Sequence, residues 1–209
     1  MQKLIFAALA SLVAAAGHAQ ISTTGVFTGS LNEGFEGFNN YNQGSTYLSN
    51  PTSIMGGAAS LTSTWGVVYQ PGPAGFGLGG RGMATVSNGS KAFGLNTSVG
   101  VTSLTFSQSI SQFGGYFNHD SSGNGVKFRF YDENDAQIGS DMFSTIPFGN
   151  QMTFVGFDST VGIKRVEYSG SYVVADGLRA NVQAVPEPAS MAALGLGALG
   201  MWKRRKRNA

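Results

Sequence analysis

Short stretches of alternating apolar and polar residues run through the middle of the chain, and helical periodicity is nearly absent there. The clearest stretch is 126–131, where Phe128 and Phe130 share one face and Lys127 and Arg129 share the other. Gly, Asn, Asp and Ser residues, which favour turns, separate these stretches. The pattern predicts an all-β fold built as a sandwich or a barrel.

The predicted strands are short and lie close together along the chain. Asp132 begins a polar turn, and a hairpin partner is expected directly after it. Ile163 is out of phase with Val166 and Tyr168, which predicts a bulge or a change of register. Residues 35–80 are rich in Gly, Asn, Ser and Tyr and are expected to form long loops around the first strands. Strands are predicted at 60–69, 82–86, 92–95, 103–106, 112–118, 126–131, 137–142, 151–158, 163–168 and 175–182.

The N-terminus has the composition of a secretory signal. Lys3 precedes the apolar run 4–16, and small residues at Gly17 and Ala19 form a cleavage site. The run is shorter than the roughly 20 apolar residues that cross a bilayer as a helix. We therefore predict a signal helix at residues 1–19, removed after export by the Sec machinery; the alternative is a buried N-terminal helix. Residues 20–184 are then the exported domain.

The C-terminus places three features in a fixed order. Pro186, Glu187 and Pro188 come first, and the prolines set the start of an apolar helix at 189–202. A basic cluster follows and favours the cytoplasmic side of a membrane. Its residues are Lys203, Arg204, Arg205, Lys206 and Arg207. The apolar segment is shorter than the roughly 17–25 residues of an ordinary spanning helix, so we expect a transient anchor in the inner membrane.

This order of features over residues 185–209 resembles the PEP-CTERM sorting signal. The resemblance implies processing by exosortase, a membrane-embedded enzyme, in a Gram-negative bacterium that makes exopolysaccharide. It also implies a location in the cell envelope, at the cell surface or in the extracellular matrix of a biofilm. It implies nothing about the fold of residues 20–184.

The net charge of +2 comes from the two ends of the chain. Six of the thirteen basic residues are Lys3 and the tail cluster, so residues 20–184 carry seven basic and ten acidic residues. A domain without a basic patch is not expected to bind nucleic acid. Cysteine is absent, which excludes a disulfide framework and thiolate chemistry. The polar but sparsely charged surface suits contact with sugars and equally suits any secreted β-protein.

Two acidic residues stand near the two ends of the exported domain. Glu36 follows Phe35, and Asp176 precedes Gly177 and Leu178. This arrangement loosely resembles the first and last strands of jelly-roll domains, including carbohydrate-binding modules. The resemblance implies a jelly-roll-like antiparallel β-sandwich in which both carboxylates supply the hard oxygen ligands of a structural calcium. The alternative is a pair of solvated or hydrogen-bonded acids near a sheet edge.

Two further polar groups are weaker candidates. His119 is the histidine of the exported domain, but no nucleophile motif accompanies it, so a loop histidine is expected. Asp132, Asn134 and Asp135 lack the glycine and the distant glutamate of an EF-hand, so a polar hairpin turn is expected there.

Aromatic residues provide the remaining candidates, because exposed rings stack on the apolar faces of sugars whereas buried rings fill a core. Those in the loop-rich region are Tyr41, Tyr47, Trp65 and Tyr69. We therefore expect a non-catalytic surface or matrix protein that binds exopolysaccharide, with no catalytic residue and no cofactor other than the calcium considered above. The alternatives are a secreted polysaccharide hydrolase or lyase, which needs paired carboxylates in a cleft, and a purely structural matrix component.

Overall fold

The computed structural model describes residues 20–39, 47–70, 87, 89–120, 123–146 and 151–184. The predicted signal peptide at 1–19, the strand predicted at 82–86, Tyr41 and the tail from residue 185 lie outside these residues. Within the described part of the chain, no helix has the length and apolar character needed to cross a membrane. The two flanking helices stay predictions.

The described residues form eleven β-strands and one short 3-10 helix, Met55–Gly57. Every strand pair is antiparallel, which confirms the all-β class and the antiparallel sheet expected from the sequence. The strands are β1 (Ile21–Thr24), β2 (Leu31–Glu33), β3 (Thr52–Ile54), β4 (Ala59–Ser63), β5 (Gly66–Tyr69), β6 (Ala92–Leu95), β7 (Gly100–Asn118), β8 (Gly125–Tyr131), β9 (Met142–Thr145), β10 (Thr153–Gly170) and β11 (Val174–Val182).

Two long strands, β7 and β10, run through the centre of the sheet and pair with each other. Their register shifts on both sides of Ile163, which confirms the irregularity predicted there. Each long strand changes its outer neighbour across these shifts. The first half of β7 pairs with β4 and its second half with β11, while the first half of β10 pairs with β1 and its second half with β8.

The two halves of the sheet face each other across the core. The ring centroid of Phe117, near the end of β7, lies 5.1 Å from that of Phe128 on β8 and 5.3 Å from that of Tyr168 on β10. Phe157, in the first half of β10, lies 4.8 Å from Phe130 on β8. All five rings are buried, so the sheet curls back on itself along the two long strands.

The segment 60–69 forms two strands and not the single strand predicted. Thr64 and Trp65 interrupt it. Strand β4, before the interruption, pairs with β7, whereas β5, after it, pairs with β6. Two consecutive apolar stretches can belong to different parts of a sheet without any change in composition at the break. The prediction of long loops over 35–80 is likewise wrong for 52–69, which holds β3, β4 and β5.

The hairpin partner of β8 begins at Met142 and not at residue 137 as predicted. The carboxylate of Asp132 accepts hydrogen bonds from the N–H groups of Asn134 and Ala136, both at 2.9 Å, and these bonds stabilise a wide turn. Gln137 makes an isolated bridge to Tyr131 before the second strand starts. The strands predicted separately at 103–106 and 112–118 are one strand, β7, and those at 151–158 and 163–168 are both β10.

Strand β11 runs from one end of the fold to the other. Val174 lies beside Gly94 and Asn118, while Val182 lies beside Ile110, where β7 bends. At about 3.3 Å per residue, the two ends of β11 are about 26 Å apart. The tail follows the Val182 end, and the turns that precede β7 and β11 lie at the Val174 end.

Candidate functional site

Trp65 occupies an unusual backbone position in the link between β4 and β5. Its φ is 55°, a conformation that is a genuine outlier for a bulky residue. Hydrogen bonds hold the link on both sides, because the Thr64 N–H donates to the Val101 carbonyl at 3.0 Å and the Asn96 N–H donates to the Trp65 carbonyl at 3.0 Å. Outliers of this kind persist where the surrounding structure over-determines them, often at functional sites.

The residue after Trp65 must be a glycine. A Cβ atom on Gly66 would collide with the Ser63 hydroxyl and would lie 2.8 Å from the ring of Phe93. The chain therefore passes close to the core at Gly66, and Trp65 is left on the outside of the turn.

The Trp65 side chain is 56% exposed. Its ring centroid lies 4.8 Å from that of Tyr47 at an interplanar angle of 75°, an edge-to-face arrangement that aromatic pairs favour. The Asn96 amide donates a hydrogen bond to the Tyr47 hydroxyl at 3.2 Å. The pair thus presents a largely exposed indole beside an oriented ring and an amide.

A buried base supports this pair. Tyr47 and Tyr172 pack against a small core cluster, and the Tyr172 N–H donates to the Thr97 carbonyl at 2.9 Å. Tyr172 also has a positive φ, 47°. The residues of the cluster are Val67, Tyr69, Ala92 and Val174. Tyr69 is buried and therefore part of the base and not of the surface. This burial, with a smaller contribution from the Asp176 charge, raises the pKa of the Tyr69 hydroxyl.

Exposed apolar side chains continue around Trp65. Val99 is 83% exposed and Val101 is 41% exposed, and both belong to the turn and strand that hydrogen-bond to the Trp65 link. Exposed apolar residues scattered singly are ordinary, but a group at one end of a domain indicates an interaction site. We call Tyr47, Trp65, Asn96, Val99 and Val101 the Trp65 corner.

Of the four aromatic residues singled out in the sequence, the structure exposes Trp65, half-buries Tyr47 and buries Tyr69. Tyr41 lies outside the described residues. Sequence analysis missed Asn96, Val99 and Val101. The glycine at position 66, between two apolar stretches, is the available signal, because glycine favours turns.

Glu36 receives hydrogen bonds from the segment that precedes β6. Its Oε1 accepts from the N–H groups of Ser90 and Lys91, both at 2.7 Å, and its Oε2 accepts from the Ser90 hydroxyl at 3.0 Å. The Ser90 N–H bond, followed by that of Lys91, lowers the pKa of Glu36 below its ordinary value of 4.5. Glu36 therefore holds this segment against the loop after β2.

Asp176 binds the same segment from the other side. It is fully buried on β11, and its Oδ2 accepts from the Ser87 N–H at 2.7 Å and from the Ser87 hydroxyl at 2.8 Å. Its Oδ1 accepts from the Gly177 N–H at 2.6 Å. Glu36 and Asp176 thus bind different residues of this segment, Ser90 and Lys91 in one case and Ser87 in the other. We call Glu36, Asp176, Ser87, Ser90 and Lys91 the acidic clamp.

The acidic clamp does not fit a calcium ion. Calcium takes carboxylate and carbonyl oxygens, but N–H and O–H donors occupy the Glu36 carboxylate. The Lys91 ammonium already lies on the carbonyl oxygens of Glu36 at 2.9 Å and Phe38 at 2.6 Å. Among the residues that the structure describes, no group of three or more His, Cys, Asp or Glu side chains could hold a metal.

His119 is buried and hydrogen-bonds to the backbone. Its Nδ1 lies 2.6 Å from the Asp120 carbonyl oxygen and its Nε2 lies 2.8 Å from the Ile146 carbonyl oxygen. With both ring nitrogens on carbonyl groups, the imidazole joins the loop after β7 to the loop after β9. His119 is the loop histidine expected from the sequence, and the structure shows in addition that it is buried.

The polar turn predicted at 132–135 is present and leads into a network on the outer face of β8 and β10. The Arg165 guanidinium lies 3.6 Å from the centroid of the Tyr131 ring and 2.6 Å from the carboxylate of Asp135, and it also pairs with Glu167. The Tyr131 hydroxyl donates to Glu167 at 2.9 Å. Burial, followed by this bond, raises the pKa of Tyr131. These charges largely satisfy one another.

A polar cleft opens beside that turn at the Val182 end of β11. Its volume is about 330 Å³. Its polar lining is Ser109, Asp132, Glu133, Asn134, Gln137 and Gln183. Since the Asp132 carboxylate already accepts two backbone N–H bonds, Glu133 is the exposed acid of this cleft.

Residues 184–207 match the model of the PEP-CTERM protein-sorting motif. The motif indicates an exported protein of the cell envelope or surface that exosortase processes. The match contains Pro186, Glu187 and Pro188 and the whole basic cluster, all outside the described residues. No curated protein matches the chain.

Solved structures share only distant likeness with the chain. One is the enzymatically active domain of tailspike protein 4 from bacteriophage CBA120, at 14% identity and a TM-score of 0.37, over 60% of this chain and 19% of that chain. Another is the K2 cleaved adhesin domain of Lys-gingipain, at 11% identity and a TM-score of 0.45, over 73% of this chain and 97% of that chain. A third is the CBM22-1 xylan-binding domain of Xyn10C from Paenibacillus barcinonensis, at 12% identity and a TM-score of 0.41, over 77% of this chain and 100% of that chain. These values are too low to transfer a ligand or an activity to this chain.

Proposed function

We propose that this protein is a non-catalytic surface or matrix protein that binds exopolysaccharide at the Trp65 corner. The Sec machinery exports it, the tail anchors it transiently in the inner membrane, and exosortase processes the tail. The curled antiparallel sheet supports the jelly-roll-like sandwich expected from the sequence. The sandwich supports the corner at the Val174 end of β11, opposite the end from which the tail continues.

The exposed indole of Trp65 is the observation that carries this proposal. Sugar rings present apolar C–H faces, and an exposed aromatic ring can stack on them. A Trp side chain 56% exposed on a positive-φ backbone has no evident benefit for folding, because the core would be better served by burying it. The Tyr47 ring and the Asn96 amide beside it supply an edge and a polar group for sugar hydroxyls.

The state of three described carboxylates supports a non-catalytic role. Glycosidases place two carboxyl groups on either side of the scissile bond. Here Glu36 and Asp176 bind backbone and hydroxyl groups, and Asp141 pairs with Arg129 at 2.9 Å. None of these three lies among the residues of the Trp65 corner.

The test is binding of the purified full chain to the exopolysaccharide of its producing organism. We expect Trp65→Ala to weaken binding at least about tenfold, equivalent to about 1.4 kcal/mol. Phe143→Ala is the matched control, because Phe143 is an aromatic residue with 57% exposure on β9. Strand β9 lies four strands from β4, about 19 Å when measured along the sheet. Equal binding by wild type and Trp65→Ala would contradict the proposal.

The polar cleft with Asp132 and Glu133 favours one second candidate, a polysaccharide hydrolase. Its activity would appear as new reducing ends released from exopolysaccharide by the wild type and lost in Glu133→Gln. We expect no release by either protein. Release that depends on Glu133 would replace the non-catalytic proposal.

A further inference from the structure

We infer that the Trp65 corner takes an uncharged polysaccharide and not an acidic one. This inference rests on the proposed function and names the class of its ligand. It follows from the distribution of charge over the fold, which the net charge of the chain conceals.

The segments that build the corner contain no charged residue. No Asp, Glu, Lys or Arg occurs between residues 37 and 80, or between residues 92 and 118. These two stretches supply every residue of the Trp65 corner. The segment that contributes Tyr172, from 168 to 175, is also free of charge. The described surface there consists of aromatic rings, valines, hydroxyl groups and amides.

The basic residues that the structure describes are all engaged elsewhere. Lys127 and Arg129 pair with Asp141 on the β8–β9 hairpin, and Arg165 pairs with acids on β10 and the turn. The other three bind backbone carbonyl groups. These are Lys91 on Glu36 and Phe38, Lys164 on Ser107, and Arg179 on Gly177 and Phe27.

Among the residues that the structure describes, an acidic polysaccharide would find no cationic partner at this corner. Proteins hold carboxylate and sulfate groups with charge-assisted hydrogen bonds from Arg or Lys. A uronate brought against Trp65, Val99 and Val101 would lose water without gaining a cation, which is costly. A neutral sugar loses only hydroxyl hydration, and the Asn96 amide and nearby hydroxyl groups can replace it. The chemistry of the corner therefore selects for neutral chains.

The experiment separates the exopolysaccharide of the producing organism into neutral and acidic pools on an anion exchanger. The full chain is then tested against each pool at low and high salt. We expect binding to the neutral pool, lost in Trp65→Ala and unchanged between about 0.05 and 0.5 M salt, because the residues of the Trp65 corner carry no charge to be screened. The acidic pool should bind at least tenfold more weakly.

A single added positive charge provides a second test, which asks whether a cation at the corner creates binding to the acidic pool. Ser98 is exposed in the turn between Asn96 and Val99, and Ser98→Lys should create salt-sensitive binding to the acidic pool. Thr145→Lys on β9 is the control, since it adds the same charge at an exposed position far from the corner. Binding to the neutral pool should change less than about twofold in both variants, as exposed substitutions rarely disturb the fold.

The outcomes distinguish this inference from the proposed function. Trp65-dependent binding to the acidic pool alone would overturn the inference and leave the proposed function standing. Binding to neither pool would overturn both. Acidic-pool binding created equally by Ser98→Lys and Thr145→Lys would show that position does not matter, which would also overturn the inference.

Discussion

The acidic clamp and the Trp65 corner are both groups of polar or aromatic residues in the same fold, yet their chemistry is opposite. In the clamp, four N–H groups and two hydroxyl groups donate to the carboxylates of Glu36 and Asp176. At the corner, the Trp65 indole is 56% exposed and its backbone has a φ of 55°. The carboxylates of the clamp already bind donors within the fold, whereas the indole at the corner is exposed and can contact a ligand.

This difference indicates where function is to be sought in a chain with few charges. Carboxylates attract attention as candidate ligands or catalysts, but a carboxylate surrounded by N–H donors is already bonded. An exposed aromatic ring on an unfavourable backbone is the less conspicuous feature, and it is the one that folding alone does not explain.

The largest expected effect separates the two regions by stability. Asp176→Asn replaces an acceptor oxygen with an NH2 group that faces N–H donors, so we expect a loss of about 1–3 kcal/mol in the free energy of unfolding. Glycan binding per folded molecule should not change. Urea denaturation measures the first quantity and a binding titration the second. The control, Asp141→Asn, removes an exposed carboxylate and should cost less than about 1 kcal/mol.

A folded Asp176→Asn protein that has lost glycan binding would contradict the separation, because it would place the clamp in the binding site. A loss no larger than that of Asp141→Asn would contradict the structural role assigned to the buried carboxylate.

Local patterns were sufficient to predict much of the sheet. The predicted range of strand β8 agrees with the structure to within one residue, because the alternation of its residues places Phe128 and Phe130 inward. The register change at Ile163 was visible as a change of phase in the sequence. Both features depend on neighbouring residues, so a period of two detects them.

Features that depend on distant contacts were not predictable. The sequence predicts two separate strands within β7 and two within β10, but each pair forms one long strand. Each long strand changes partners at the bend, and the sequence does not encode those partners locally. The exposure of Trp65 likewise depends on the close approach of Gly66 to Phe93, which comes from a distant position in the chain. For Glu36 and Asp176 the sequence identified the residues but not the donors that surround them.

The second prediction sharpens the comparison at the corner itself. Trp65→Gly and Trp65→Ala both remove the indole and should abolish glycan binding equally. They differ in backbone preference, since a positive φ costs an L-residue about 1–2 kcal/mol and costs glycine nothing. Part of this advantage of glycine is offset, because glycine has the greater conformational entropy in the unfolded chain. Trp65→Gly should therefore be more stable than Trp65→Ala by about 1 kcal/mol in urea denaturation. An alanine variant as stable as the glycine variant would show that the backbone at Trp65 stores no strain.

The smallest expected effect concerns the pH dependence of the clamp. The pKa of Glu36 is lowered in the folded protein, so its contribution to stability is present above its unfolded value and is lost as the pH falls through the lowered folded value. Glu36→Gln should therefore destabilise the protein by less than about 1 kcal/mol at pH 7, since the group is exposed. The difference between the two proteins should begin to shrink as the pH falls below about 4.5 and should disappear once the pH is below the lowered pKa of the folded state.

Thermal melting of wild type and Glu36→Gln between pH 7 and acid measures this effect, and calcium or a chelator provides the decisive second arm. A cation that bound the folded clamp would raise the melting temperature by mass action. Because Lys91 lies on the carbonyl groups and N–H donors fill the carboxylate, we expect coincident melts with calcium and with chelator. A melting temperature raised by calcium in the wild type but not in Glu36→Gln would restore the calcium hypothesis and remove the contrast between the clamp and the corner.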